Sequence, residues 1–119
     1  MNTATGNIFT SDMLSSNTNE NIDISNAHNN QFINTTIQSS ALGINLINAN
    51  FNVFSGVNVA GNTSGITLTT SSNNTLNLVN NTNGISLYAG SNTNNVINTQ
   101  VVGQNMITIV NGSSNIITG

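Results

Sequence analysis

The chain has 119 residues and a mass of 12.4 kDa, which fits one small domain. It contains no Lys, Arg, Cys, Pro or Trp, and its only acids are Asp12, Glu20 and Asp23, so charged residues are 3% of the chain where a soluble domain has about 25%. This composition offers no cations to neutralise nucleic-acid phosphates or an anionic membrane surface, no disulfide, and no apolar run long enough to insert into a bilayer.

What remains is polar but strand-forming. Asn, Ser and Thr make up about half of the chain, and the apolar 36% is rich in Ile, Val and Leu. Drift toward AT-rich codons would raise Lys along with Asn and Ile, so the absence of Lys reads as selection against charge. With almost no self-repulsion, the surface favours association.

Residues 1–20 form an N-terminal extension that carries two of the three acids and two apolar clusters, Ile8-Phe9 and Met13-Leu14, in a polar background. Three roles fit: a cap over the first repeat, a donor arm adding a strand to a neighbouring subunit, or a flexible leader. This stretch lacks the basic region and continuous apolar core of a secretory signal, so Met1 is either a native start or stands where a signal was removed.

From residue 21 to 119 the chain is a β-repeat domain. Its units are anchored by Asn21-Ile22-Asp23-Ile24, Gly43-Ile44-Asn45-Leu46, Gly65-Ile66-Thr67-Leu68, Gly84-Ile85-Ser86-Leu87 and Met106-Ile107-Thr108-Ile109. The anchor isoleucines are spaced 22, 22, 19 and 22 apart, a period near 22 with one three-residue deletion. Alternation puts Ile22, Ile24, Ile44, Leu46, Ile66, Leu68, Ile85 and Leu87 in the core. It places Asp23, Asn45, Thr67, Ser86 and Thr108 in an outward column.

A second apolar strand lies inside each unit. Ile37, Val59 and Leu78 precede the next Gly by six residues and are expected to share a column, with Ile97 holding the same place before Gly103. Ser64-Gly65, Asn83-Gly84 and Asn111-Gly112 read as corners that use positive φ. The phenylalanines follow the apolar pattern and are expected in the core, whereas Tyr88 is expected to be exposed. These units predict an all-β fold, a β-solenoid of about five two-strand coils. The alternative is a jelly-roll or β-sandwich fibre subunit with an N-terminal donor strand.

Five tandem units of about 22 residues, each with two short strands and rich in Asn, Ser and Gly, resemble curli-type functional-amyloid subunits over residues 21–119. The resemblance is one of architecture, since the regular Ser, Gln and Asn ladder of that family is not reproduced and Gln occurs only at 31, 38, 100 and 104. It implies a solenoid that assembles with itself.

Chemistry of other kinds finds little to build on. His28 is the sole imidazole and sits among Asn26, Asn29 and Asn30, a polar corner rather than a zinc site, which needs three or four N or S ligands. Asp23, His28 and a serine compose no nucleophile elbow, and the three acids match no calcium loop. The sequons at Asn34, Asn62, Asn73, Asn80 and Asn111 are about as many as this composition yields by chance. No catalytic, cofactor-binding or metal residue is assigned.

The expected function is therefore that of a non-enzymatic structural subunit, extracellular or on a cell, spore or virion surface, with itself as partner and no nucleic acid, membrane or small-molecule substrate. Terminal strands ending Asn115-Ile116-Ile117-Thr118-Gly119 carry no Lys or Pro to protect an edge. Ile8, Phe9, Met13 and Leu14 at one end, and Ile107, Ile109, Ile116 and Ile117 at the other, are the expected assembly interface. The alternatives are an ice- or carbohydrate-binding solenoid, or a component of a phage or spore appendage. The outward column is too irregular for ranked ice-binding threonines.

Overall fold

The computed structural model describes residues 3–97 and 107–118, and Gly103 and Met106 lie outside them. Thirteen strands and no helix occur among the described residues. In chain order they are β1 (Ile8–Thr10), β2 (Met13–Ser15), β3 (Glu20–Ser25), β4 (Gln31–Ile33), β5 (Thr36–Gln38), β6 (Leu42–Ile47) and β7 (Val53–Ala60). They continue with β8 (Ser64–Thr69), β9 (Thr75–Asn81), β10 (Ile85–Tyr88), β11 (Asn95–Ile97), β12 (Ile107–Val110) and β13 (Ile116–Thr118).

Every described pairing is parallel and joins equivalent strands of successive repeats. Antiparallel hairpins of a jelly roll are therefore replaced by a β-solenoid of about five turns with a period near 22. One sheet has five strands in the order β12-β10-β8-β6-β3. The other has eight, with β1-β4-β7-β9-β11-β13 as its main path and β2 and β5 stacked beside it. β7 crosses this second sheet unbroken, bending at Gly56 (φ 65°), where the preceding coil divides into β4 and β5 at Asn34 (φ 52°). A coil thus has one arm in the first sheet and two in the second.

Two further columns of left-handed residues turn the chain between the sheets. One is Asn26, Asn48, Thr70, Ala89 and Asn111; the other is Asn29, Phe51, Asn73, Thr93 and Ser114, each with φ between 48° and 58°. Asn occupies these positions at low cost, because it tolerates this conformation better than other side-chain-bearing residues. Phe51 does not, and its place at a corner puts its ring in solvent with 56% exposure, contrary to the expectation of a core phenylalanine. Phe32 and Phe54 are buried as expected, and Phe9 is half-buried against them.

The core is built of vertical columns. Ile22, Ile44, Ile66, Ile85 and Ile107 stack in register, as do Ile24, Leu46, Leu68, Leu87 and Ile109. The first four of each column are buried, and each such side chain contributes about 1.5–3 kcal/mol relative to exposure. The outward column Asp23, Asn45, Thr67, Ser86, Thr108 is also in the expected register. β1 and β2 stack in register on β4 and β5, with Phe9 over Phe32 and Leu14 over Ile37.

Three expectations are corrected. Leu78 does not continue the Ile37–Val59 column: it pairs with Val57 across a register shift and Asn81 stands beside Val59, because the three-residue deletion falls after Asn81, in the corner between β9 and β10. Ile97 lies in register with Asn77 and Thr118 instead, while its neighbour Val96 faces the core. Gly65 has no positive φ; a Cβ there would collide with the Gly84 carbonyl oxygen and Asn81 Oδ1, so it is glycine for want of space. Gly84 (φ 79°) and Asn111 (φ 55°) do use left-handed backbone.

These observations give two outcomes for urea unfolding. Gly65→Ala, which must displace backbone, lowers stability by about 1–3 kcal/mol. Phe51→Asn relieves left-handed strain and raises it by about 1 kcal/mol.

Candidate functional site

An internal amide ladder runs the height of the eight-stranded sheet. It consists of Asn7, Asn30, Asn52, Asn74, Asn94 and Asn115, each two residues before the inward apolar residue of its strand. At each step the backbone N–H and the Nδ2–H of one Asn both donate to Oδ1 of the Asn in the next coil. The distances are 3.1 and 2.9 Å from Asn7, 3.0 and 3.1 Å from Asn30, and 2.9 and 3.2 Å from Asn52. They are 2.9 and 3.1 Å from both Asn74 and Asn94. The remaining Nδ2 hydrogen reaches back to a carbonyl of the preceding coil, such as Ala49 O from Asn74 at 2.9 Å and Ser91 O from Asn115 at 3.0 Å. Asn30, Asn52, Asn74 and Asn94 are fully buried, and this dense pairing is what makes burial of four amides tolerable.

A second ladder beside it runs the other way. Here the backbone N–H of each coil donates to the side chain of the coil before: Asn50 to His28 Nδ1 at 2.9 Å, Ser72 to Asn50 Oδ1 at 2.7 Å, Asn92 to Ser72 Oγ at 3.1 Å and Ser113 to Asn92 Oδ1 at 2.7 Å. His28 is thus a half-buried rung of a structural column. Asp23 accepts from Asn45 Nδ2 at 3.1 Å. Asp23 and His28 are thus each engaged along the stack. Among the described residues no group of three His, Cys, Asp or Glu could hold a metal ion, and no helix is long and apolar enough to cross a membrane.

A shorter ladder lines the other corner: Asn21 Nδ2 donates to Ser40 Oγ at 3.0 Å, and Ser40 N–H and Oγ–H donate to Asn62 Oδ1 at 3.0 and 2.9 Å. It breaks at the deletion, where Asn81 Oδ1 is buried without a hydrogen-bond partner. Close to this corner lies a polar groove of about 500 Å3 on the surface, lined by Thr63, Ser64, Gly65, Asn83 and Ser86 with Tyr88 among its walls.

Aromatic stacking follows the same axis. The rings of Phe9, Phe32 and Phe54 lie 4.7 and 4.9 Å apart, inclined by 8° and 3°. These separations match the strand spacing of a sheet. The column then continues through Leu76 and Val96 to Ile117.

The structure divides the expected interface residues by direction. Phe9 and Leu14 point inward on the face made by β1, β2 and β3, where they pack on the core with no described strand beneath them. Ile8 and Met13 point outward on the same coil and are exposed. At the opposite face Ile107, Ile109 and Ile117 belong to inward columns, yet Ile109 and Ile117 are 42% and 40% exposed because no described strand lies above them. Ile116 is outward and exposed. The amide ladder was not among the expected features, although the recurring Asn-x-apolar triplet marks it. Asn occurs so often in this chain that the triplet does not stand out.

No family model, curated protein or solved structure matches the chain.

Asn52→Ala tests the ladder. It removes the Oδ1 that accepts from Asn30 N–H and Nδ2–H, leaving two buried donors unpaired, and it takes the Nδ2–H donor from Asn74 Oδ1, to which the backbone N–H of residue 52 still donates. A loss of about 2–4 kcal/mol in urea unfolding is expected, with an equivalent loss for Asn74→Ala.

Proposed function

We propose that this chain is a non-enzymatic structural subunit that stacks end to end with copies of itself into a filament, displayed outside the cell or on a cell, spore or virion surface. One observation carries the reading: among the described residues, apolar columns, amide ladders and sheet edges all run out uncovered at two opposite faces of the solenoid. Unpaired parallel edges without Lys or Pro are templates for further pairing. Each face offers what the other lacks, because the columns keep one register along the axis.

Charge distribution favours one orientation. Asp12, Glu20 and Asp23 all lie in the first coil, so two first-coil faces brought together would oppose like charges. A first-coil face against a last-coil face does not. Head-to-tail contact is heterologous and does not close, which yields filaments rather than dimers. The likeness to curli-type subunits is consistent with this at the level of coil architecture, and a phage or spore appendage would use the same contact.

A second reading rests on the groove at the deletion. Its hydroxyl and amide lining with Tyr88 suits a carbohydrate segment bound on the side of the rod.

Negative-stain electron microscopy of the purified chain, fresh and after incubation, tests the first reading. Uniform filaments are expected. Phe9→Lys, which places a charge on the first-coil face, is expected to abolish them while leaving the far-ultraviolet dichroism of the chain unchanged. Persistent monomers of the unmodified chain at high concentration would refute the filament and leave glycan binding to be assayed.

A further inference from the structure

Among the described residues the two sheets do not have the same number of rungs. The five-stranded sheet has five, β3, β6, β8, β10 and β12, whereas the main path of the other has six, from β1 to β13. The extra rung arises because residues 3–10 and 111–118 are the same structural element at opposite faces. Gly6 and Ser114 are the left-handed residues at φ 71° and 55°. Asn7 and Asn115 are the ladder amides. Phe9 and Ile117 end the same inward column. Ile8 and Ile116 occupy the same outward position.

This redundancy constrains head-to-tail stacking. If β1 of one copy sat on β13 of the next, the first sheet would be left one rung short at every junction, with β3 and β12 about 10 Å apart instead of about 4.8 Å. A continuous junction has room for one such element, and two are supplied.

We propose that the subunits share a rung: β1 of one copy replaces β13 on β11 of its neighbour, and residues 111–118 are released from the stack. This rests on the filament reading and specifies its contact. The exchange is matched group for group. Asn94 N–H and Nδ2–H, which donate to Asn115 Oδ1 at 2.9 and 3.1 Å, donate instead to Asn7 Oδ1 of the incoming copy. Asn7 uses its own N–H and Nδ2–H on Asn30, so the ladder passes unbroken through the junction.

Val96 trades Ile117 for the larger ring of Phe9. Above β12, the incoming β3 sets Ile22 over Ile107 and Ile24 over Ile109, which covers the exposed end of the first sheet. β13 is the element that yields because all three of its residues are exposed, whereas Phe9 is stacked on Phe32 at 4.7 Å. Displacing β1 instead would strip a buried aromatic column.

Filament rise and engineered disulfides decide the question. In filaments of the unmodified chain, cryo-electron microscopy is expected to show five rungs per subunit, a rise of about 24 Å. The chain has no cysteine, so Ile8→Cys/Asn95→Cys creates a pair that shares a register position only across the proposed junction. Within one chain these positions are four rungs apart, roughly 19 Å, well beyond disulfide reach. Mild oxidation of those filaments is expected to give a ladder of covalent multimers on a non-reducing gel, and Ile8→Cys/Ile116→Cys filaments are expected to give none. A rise of about 29 Å, or multimers from the 8/116 pair, would overturn the shared rung while leaving the filament intact. Multimers from Gln31→Cys/Ile116→Cys would overturn it as well, by showing that β1 is the element displaced. Absence of any filament from the unmodified chain removes the filament reading and this inference together.

Discussion

Parallel in-register pairing between coils is the constraint from which the rest of this structure follows. Once each residue lies above its equivalent about 4.8 Å away, like must tolerate like along the whole axis. Isoleucine above isoleucine satisfies this through burial, and phenylalanine above phenylalanine through stacking. Asparagine above asparagine satisfies it through an amide that is donor and acceptor at once. A charged side chain cannot, because each column would align the same charge at every step. The three acids of this chain sit in the first coil, and among later coils their columns hold Asn, Thr, Ser or apolar residues. The near-absence of charge is thus a consequence of stacking as much as a property of the surface.

The same constraint explains where polarity is placed. Most proteins keep amides at the surface, since an unpaired one inside costs several kcal/mol. Here the interior positions of the corners are amides and hydroxyls because the corner backbone has N–H groups facing along the axis that no strand partner satisfies. Asn30, Asn52 and Asn74 close those groups and their own side chains in one motif. The shorter Asn21–Ser40–Asn62 ladder stops where the repeat loses three residues, and there Asn81 Oδ1 is buried without a hydrogen-bond partner.

Much of this was legible in the sequence because a solenoid writes its register directly into its period. The anchor isoleucines gave the five-stranded sheet and its core columns, and the alternation around Asn45 and Thr67 gave the outward face. The second sheet was less legible. Its strands are short, β7 and β9 cross a bend that β4 and β5 do not, and the deletion falls in the corner between β9 and β10, so counting back from the glycines set Leu78 in the wrong column. Phe51 was misplaced because its neighbours set a left-handed corner that propensity alone does not reveal. The amide ladder was hidden by abundance: a motif built of the commonest residue in the chain carries little contrast. Gly65 illustrates the opposite limit, since the same residue type serves tight turns and close packing, and only the coordinates separate them.

The two long ladders also bear on the electrical character of an extended rod. In an α-helix every peptide dipole points the same way and the ends acquire opposite partial charges. In this solenoid the Asn7–Asn115 column donates toward the last coil, and the neighbouring His28–Ser113 column donates toward the first. Their dipoles oppose one another on each rung. Adding rungs therefore lengthens the column without accumulating a field along it from these groups, and a distant end does not feel how long the rod has become.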